Sequence, residues 1–178
     1  MSLIKNFQML ARYNQRINNQ LLTCCLTLSN AQLTANTNSF FPTIISYWNH
    51  LLFGDLILLG RLAKNNIANI SIDDFSKFPT PKSPQDIYFN NLADIAQLRE
   101  QLDRLIIQYC QQLTDEECRQ SINYQTTEGQ PMTKVVADVT QHIFNHQTHH
   151  RGQLTCILSQ FNVDYGSMDL PVIVPEGS

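Results

Sequence analysis

The sequence predicts an all-α protein: an antiparallel four-helix bundle with a short β-hairpin insertion before the fourth long helix. Three observations predict it. Four long stretches repeat apolar residues at helical spacing. Residues 118–133 break that period and alternate apolar with polar, as a half-buried strand does. No linker of domain size divides the 178 residues, so we expect one domain over 1–178.

The first helix is expected from Leu3 to Leu28, with Ile4, Phe7, Leu10, Ala11, Ile17, Leu21, Leu22 and Leu28 at its spacing, and Ser29-Asn30 as its stop. A polar loop, Thr34 to Ser39, follows. The second helix is expected to start near Pro42, a residue tolerated in a first turn, and to run to Lys64 before Asn65-Asn66. In the connector 68–84, Pro79, Pro81 and Pro84 argue against regular structure. The third helix is expected from Gln85 to Leu113. Leu92, Ile95, Leu98, Leu102, Leu105, Ile106 and Tyr109 form its inner side, and Asp94, Arg99, Glu100, Asp103 and Arg104 mostly its outer side. Ile122 and Tyr124 with the Thr126-Thr127-Glu128-Gly129 turn form the hairpin. The fourth helix is expected from Thr133 to Phe161, with Val135, Val136, Val139, Ile143, Leu154, Ile157, Leu158 and Phe161 on its apolar face. The tail, Leu170 to Val174, is expected to pack against the bundle or a partner subunit.

Composition narrows the function. The formal net charge is −3 and no basic run occurs, which argues against a nucleic-acid partner. No apolar run approaches the roughly 20 residues of a membrane span, and the Met-Ser-Leu-Ile-Lys-Asn start leads straight into an amphipathic pattern without a signal peptide. Cys24, Cys25, Cys110, Cys118 and Cys156 are odd in number and lack framework spacing. Reduced thiols in a cytoplasmic protein follow, with the vicinal Cys24-Cys25 pair as small core residues.

The most informative stretch is Asn145 to Gln153, which contains His146, His149 and His150. His146 and His150 are four residues apart, an offset of roughly 40° and roughly 6 Å of rise, so both imidazoles leave one helix face. Two such rings can share a divalent cation. His50, on a largely apolar face of the second helix, is the candidate third ligand. Three imidazoles with an open position describe a catalytic rather than a structural zinc site, and imidazole also suits nickel, iron or copper.

Alternatives stand beside this reading. His142 with His146 is a rival pair. His149 is expected on a flank or the surface. Gly54, one turn after His50, serves either a tight helix contact or room beside an ion. Asp138 is either a hydrogen-bond acceptor for a ligand ring or a solvated carboxylate near the helix start. Arg151 and Gln153 either make structural pairs or reach the site. G-x-S-x-G, Gly-rich phosphate loops and H-E-x-x-H are absent from the sequence.

The pairing of Phe-Phe-Pro-Thr-Ile-Ile-Ser-Tyr-Trp-Asn-His-Leu-Leu (Phe40 to Leu52) with Phe-Asn-His-Gln-Thr-His-His-Arg-Gly-Gln (Phe144 to Gln153) resembles the DinB family of damage-inducible bacterial proteins. The likeness extends to Leu10-Ala11-Arg12-Tyr13-Asn14 and covers nearly the whole chain. It implies a four-helix bundle with a divalent metal, zinc or nickel, on His50, His146 and His150, which favours that triad over the His142 pair. It also implies a homodimer. Some relatives resemble thiol S-transferases that use bacillithiol or mycothiol, and a related branch includes a mycothiol-dependent maleylpyruvate isomerase. The expected function is therefore a metal-dependent enzyme, such as a low-molecular-weight-thiol S-transferase acting on small electrophiles. The alternative is a non-catalytic metal-binding or stress-responsive protein.

Overall fold

The computed structural model describes residues 2–173, and the chain is mostly helical with one small antiparallel sheet. In order the elements are α1 (Leu3–Cys25), α2 (Asn30–Leu33), α3 (Ile44–Lys64), α4 (Leu92–Gln112), α5 (Asp115–Arg119), β1 (Ser121–Gln125), β2 (Pro131–Val135), α6 (Val136–Gln160) and α7 (Leu170–Ile173). Helix α1 packs against α4 and α6, and α3 packs against the same two. One hydrophobic cluster draws on all four long helices, with Phe7, Trp48, Leu51, Leu102 and Leu158 fully buried in it. No helix among the described residues is long and apolar enough to cross a membrane.

Several expected boundaries move, each for a local reason. The first helix ends at Cys25 rather than Leu28, because Ser29 starts a new helix instead of only stopping the old one. Its hydroxyl accepts from the Gln32 N–H while the Gln32 side chain accepts from the Ser29 N–H. The second helix starts at Ile44, two residues after Pro42, where Thr43 and Ser46 form the same reciprocal cap. The connector is less irregular than its prolines suggest, since single 3-10 turns span Ile67–Asn69 and Ile72–Phe75.

Helix α4 starts at Leu92, seven residues later than expected. Buried Asn49 on α3 holds the preceding segment in a non-helical path. Its carbonyl oxygen accepts from the Tyr88 and Phe89 N–H groups, and its amide donates to the Phe89 carbonyl. A long-range contact thus overrides local helix propensity. The hairpin pairs Ser121 with Val135 through Gln125 with Pro131, around a turn in which Gly129 takes φ +80°. The short α5 replaces its expected first residues. Because Thr133 sits in the ladder opposite Asn123, α6 begins at Val136 rather than Thr133.

The tail lies against α1. The Tyr13 hydroxyl donates to the Met168 carbonyl, and the Gln20 amide donates to the carbonyls of Tyr165 and Ser167. Val174, the last residue of the expected tail segment, lies outside the described residues.

The largest correction concerns α4. Arg99 and Asp103 belong to the core, not to its outer side. Arg99 pairs with Asp55 of α3 at 2.6 Å and with Asp103 at 3.0 Å. Asp103 accepts from the Asn14 and Asn18 amides of α1, and Arg151 of α6 donates to Asn14 and Asn18 in turn. Gln147 of α6 donates to Asp55. All four long helices meet in this buried polar network. Arg151 is thereby a structural residue, buried and bonded to two asparagines rather than to a carboxylate.

Candidate metal centre

Helices α3 and α6 each carry adjacent residues that face different surroundings. Asp55, Gln147 and Arg151 point into the polar core, while Gly54, His146 and His150 stand one position earlier on the chain. One residue of an α-helix turns roughly 100°, so anchoring the first set aims the second toward the cleft between α3 and α6. His50, one turn before Gly54, completes the group.

The three histidines named from sequence meet there. The Nε2 atoms of His50 and His150 are 3.0 Å apart, and those of His50 and His146 are 3.1 Å apart. His50, His146 and His150 each offer a ligand atom within 4.8 Å of the others, a group that could hold a metal ion. Donors about 2.0–2.1 Å from one ion stand about 2.8–3.4 Å apart at angles of about 90–109°. The observed separations fall in that range.

The ring protons of His50 and His150 point away from the shared spot. His50 Nδ1 contacts the Pro84 carbonyl at 3.0 Å. A carbonyl only accepts, so Nδ1 carries the proton and Nε2 presents a bare lone pair. His150 Nδ1 likewise donates to Gln153 Oε1 at 2.8 Å, which bares its Nε2. Two neutral rings in these tautomers cannot hydrogen-bond through their facing lone pairs. A shared cation satisfies both. The Nδ1 of His146 is buried and has no hydrogen-bond partner.

Burial keeps the rings neutral. It lowers the pKa of His50, with His149 adding repulsion against the opposing bond to Pro84. Burial, then His150 and His50, lower His146 to about 3. Burial lowers His150 to about 4, against the bond to Gln153. Neutral imidazole is the form that binds metal.

Around the triad, Phe41 stacks on His50 with centroids 4.0 Å apart and meets His150 edge-on at 5.6 Å. Phe53 stacks more loosely on the His50 ring. Gly54 is explained by space. A Cβ there would overlap the His146 ring and come within 2.7 Å of its Nδ1. Room for the imidazole, rather than a close backbone contact between helices, is what this glycine provides. We expect Gly54→Ala to weaken metal binding about 10–100-fold by displacing His146. Helix content should hold or rise, because alanine favours the helix. Metal titration followed with circular dichroism checks both.

The remaining sequence candidates sort cleanly. His149 and His142 are exposed. The ring of His142 lies 5.9 Å from that of His146, and His142 is not part of the convergent group. Asp138 does not orient a ligand ring: it lines a separate cavity with Lys134 and His142. The orienting groups are Pro84 and Gln153 instead. Gln153 was legible as i+3 from His150. Pro84 was not, since only the fold brings residue 84 to residue 50. Cys25, Cys110 and Cys118 are buried, Cys24 is half-buried and Cys156 exposed, and all five are free thiols.

The depressed histidines set a pH dependence. An unfolded imidazole has a pKa near 6.5, whereas His146 and His150 sit at about 3 and about 4 when folded. Between those values the unfolded chain binds more protons, so the metal-free protein loses stability as pH falls from about 6.5 toward 4. Burial shifts the carboxyls of Asp55 and Asp103 upward, which acts the other way. The readout is therefore comparative. Across that window wild-type protein should lose more melting temperature than His146→Ala, both measured in chelator.

Compared with known proteins, the chain matches the family model described as DinB family over residues 1–173. No curated protein matches it.

Proposed function

The chain belongs to the DinB family, and on that premise we propose that His50, His146 and His150 hold a divalent metal ion, zinc or nickel, at the working centre of a small-molecule enzyme. One observation carries the reading: Nε2 lone pairs converge at 3.0–3.1 Å, with the Nδ1 protons of His50 and His150 held away by Pro84 and Gln153. Such an ion supplies Lewis acidity and lowers the pKa of a bound thiol or water toward neutral.

The chain's own residues supply the rest. Pro84 and Gln153 fix two ring orientations and leave both Nε2 atoms as acceptors. Phe41 shields the His50 ring on one face. The polar core beneath fixes the register of α3 against α6, and so the spacing of the three donors.

The reaction class we assign is transfer of a low-molecular-weight thiol to a small electrophile. This part rests on family resemblance, as do a homodimeric state and a cytoplasmic setting. We read the four long helices as an antiparallel bundle forming one domain over the full chain.

Metal analysis of protein made without a histidine tag tests the centre: about one equivalent per chain is expected. Assays of that protein with bacillithiol, mycothiol and glutathione against a fluorogenic electrophile test the reaction. Turnover that depends on both metal and thiol supports the enzyme. Metal retention without turnover on any thiol supports a non-catalytic metal-binding protein instead.

A further inference from the structure

A second cavity lies apart from the histidine triad. It has a volume of about 490 Å³ and opens between α3, the 72–81 connector and β1. That size suits a small organic ligand. Ile57, Ile72, Phe75 and Phe78 give one part of its wall an apolar surface, Asn65, Asn123 and Gln125 give another part a polar one, and Ile72 is 48% exposed. Its charged lining residues are Arg61 and Lys64, and no carboxylate lines it.

Arg61 is the unusual member. It is half-buried, yet among the described residues no acidic side chain lies within ion-pair distance of it, and Glu128 in the hairpin turn attracts it only from farther off. Its guanidinium stacks 4.3 Å over the Tyr124 ring, and one nitrogen donates to the Gln125 carbonyl at 3.3 Å. Stacking fixes the fork while leaving most of its donors without a partner. A half-buried cation of this kind is a ready receptor for a carboxylate or similar anion.

Gly60 points the same way. It is an interior residue of α3, where glycine weakens a helix, and it lines the cavity. A Cβ there would meet nothing within 4 Å. Unlike Gly54, it makes room for no side chain of this protein. The space it leaves belongs to the cavity.

We propose that this cavity binds a small amphipathic organic anion, its apolar body against Ile57, Phe75 and Phe78 and its charged end on Arg61 with help from Lys64. Arg61 and Tyr124 also line a neighbouring space of about 310 Å³ that reaches His142. That second space carries Asp138 beside Lys134, whereas Arg61 and Lys64 stand in the first with no carboxylate in its lining, so the anionic end belongs in the first. The site does not depend on the metal reading.

Decanoate and decanol are suitable probes, titrated calorimetrically into the full chain with whatever metal it carries. Decanoate should bind more tightly than decanol. Arg61→Gln should weaken decanoate about tenfold and leave decanol unchanged, the size of one charge-assisted hydrogen bond. Gly60→Leu should occupy part of the cavity and weaken binding of both, with its melting temperature retained. His146→Ala should keep decanoate binding, which separates this site from direct ligation to the metal. The proposal fails if decanoate does not bind or binds no better than decanol. It also fails if Gly60→Leu binds decanoate like wild type, or if His146→Ala abolishes binding.

Discussion

His146→Ala and His150→Ala, purified without a tag, are each expected to lose the metal that we propose for the wild-type chain, while His149→Ala keeps it. His50→Ala should behave like the first two. The first three rings point Nε2 at a common spot, whereas His149 is exposed and only touches the ring of His150 from the side. Removing one of three nitrogen donors should lower affinity by at least about 100-fold, more than the loss of an orienting partner. Gln153→Leu gives the graded comparison. It leaves all three donors but frees the His150 ring, and should cost about 10–100-fold. Elemental analysis and competition with a chelator of known affinity read the series. Full metal retention in both His146→Ala and His150→Ala would reject the centre.

Arg99→Ala is expected to destabilise the fold more than any surface change. Arg99 is fully buried and balances two buried carboxylates, Asp55 and Asp103. Its removal leaves them without their direct cation partner. Breaking a buried pair in this way costs about 3–5 kcal/mol, a fall in melting temperature of roughly 6–20 °C for a chain of this size. The exposed Arg104–Glu100 pair on the same helix is the control, with side chains 58% and 56% exposed. Arg104→Ala should cost under about 1 kcal/mol. The Arg99→Ala deficit should shrink as pH falls toward about 6: burial pushes Asp55 up to about 6 even beside Arg99, so without that cation it takes up a proton at higher pH, and a protonated carboxyl needs no cation. A deficit independent of pH would mean that lost packing, not charge, is the cause.

These two experiments touch different layers of one construction. The polar core fixes how α3 and α6 sit against each other, since Asp55 next to Gly54 is bonded to Gln147 next to His146. Loosening the core should therefore loosen the metal centre as well. Arg99→Ala protein that remains folded at low temperature is expected to bind metal more weakly, although Arg99 belongs to neither of the helices that carry the three histidines.

Much of this was legible in the residues. Apolar periodicity located the four long helices, and the i, i+4 spacing of His146 and His150 put two donors on one face before any coordinates were needed. Helix geometry is local, so spacing along the chain reports it. The Phe40–Leu52 and Phe144–Gln153 stretches carried the family. The start of α4 was not legible, because it is set by Asn49, about forty residues away. Nor was the inward face of Arg99 and Asp103. Charged residues at helical spacing normally mark solvent, and only the meeting of α1, α3, α4 and α6 supplies the partners that let them be buried.

The amino-acid order alone settled which segments coil and which side chains can donate nitrogen, because both are properties of neighbours in the chain. Folding in three dimensions decided that His50 lies 3.0 Å from His150, that Pro84 and Gln153 hold their protons aside, and that Gly54 is there for the His146 ring. Those facts depend on how helices distant in sequence are docked, and docking is fixed by packing and buried charge rather than by local spacing.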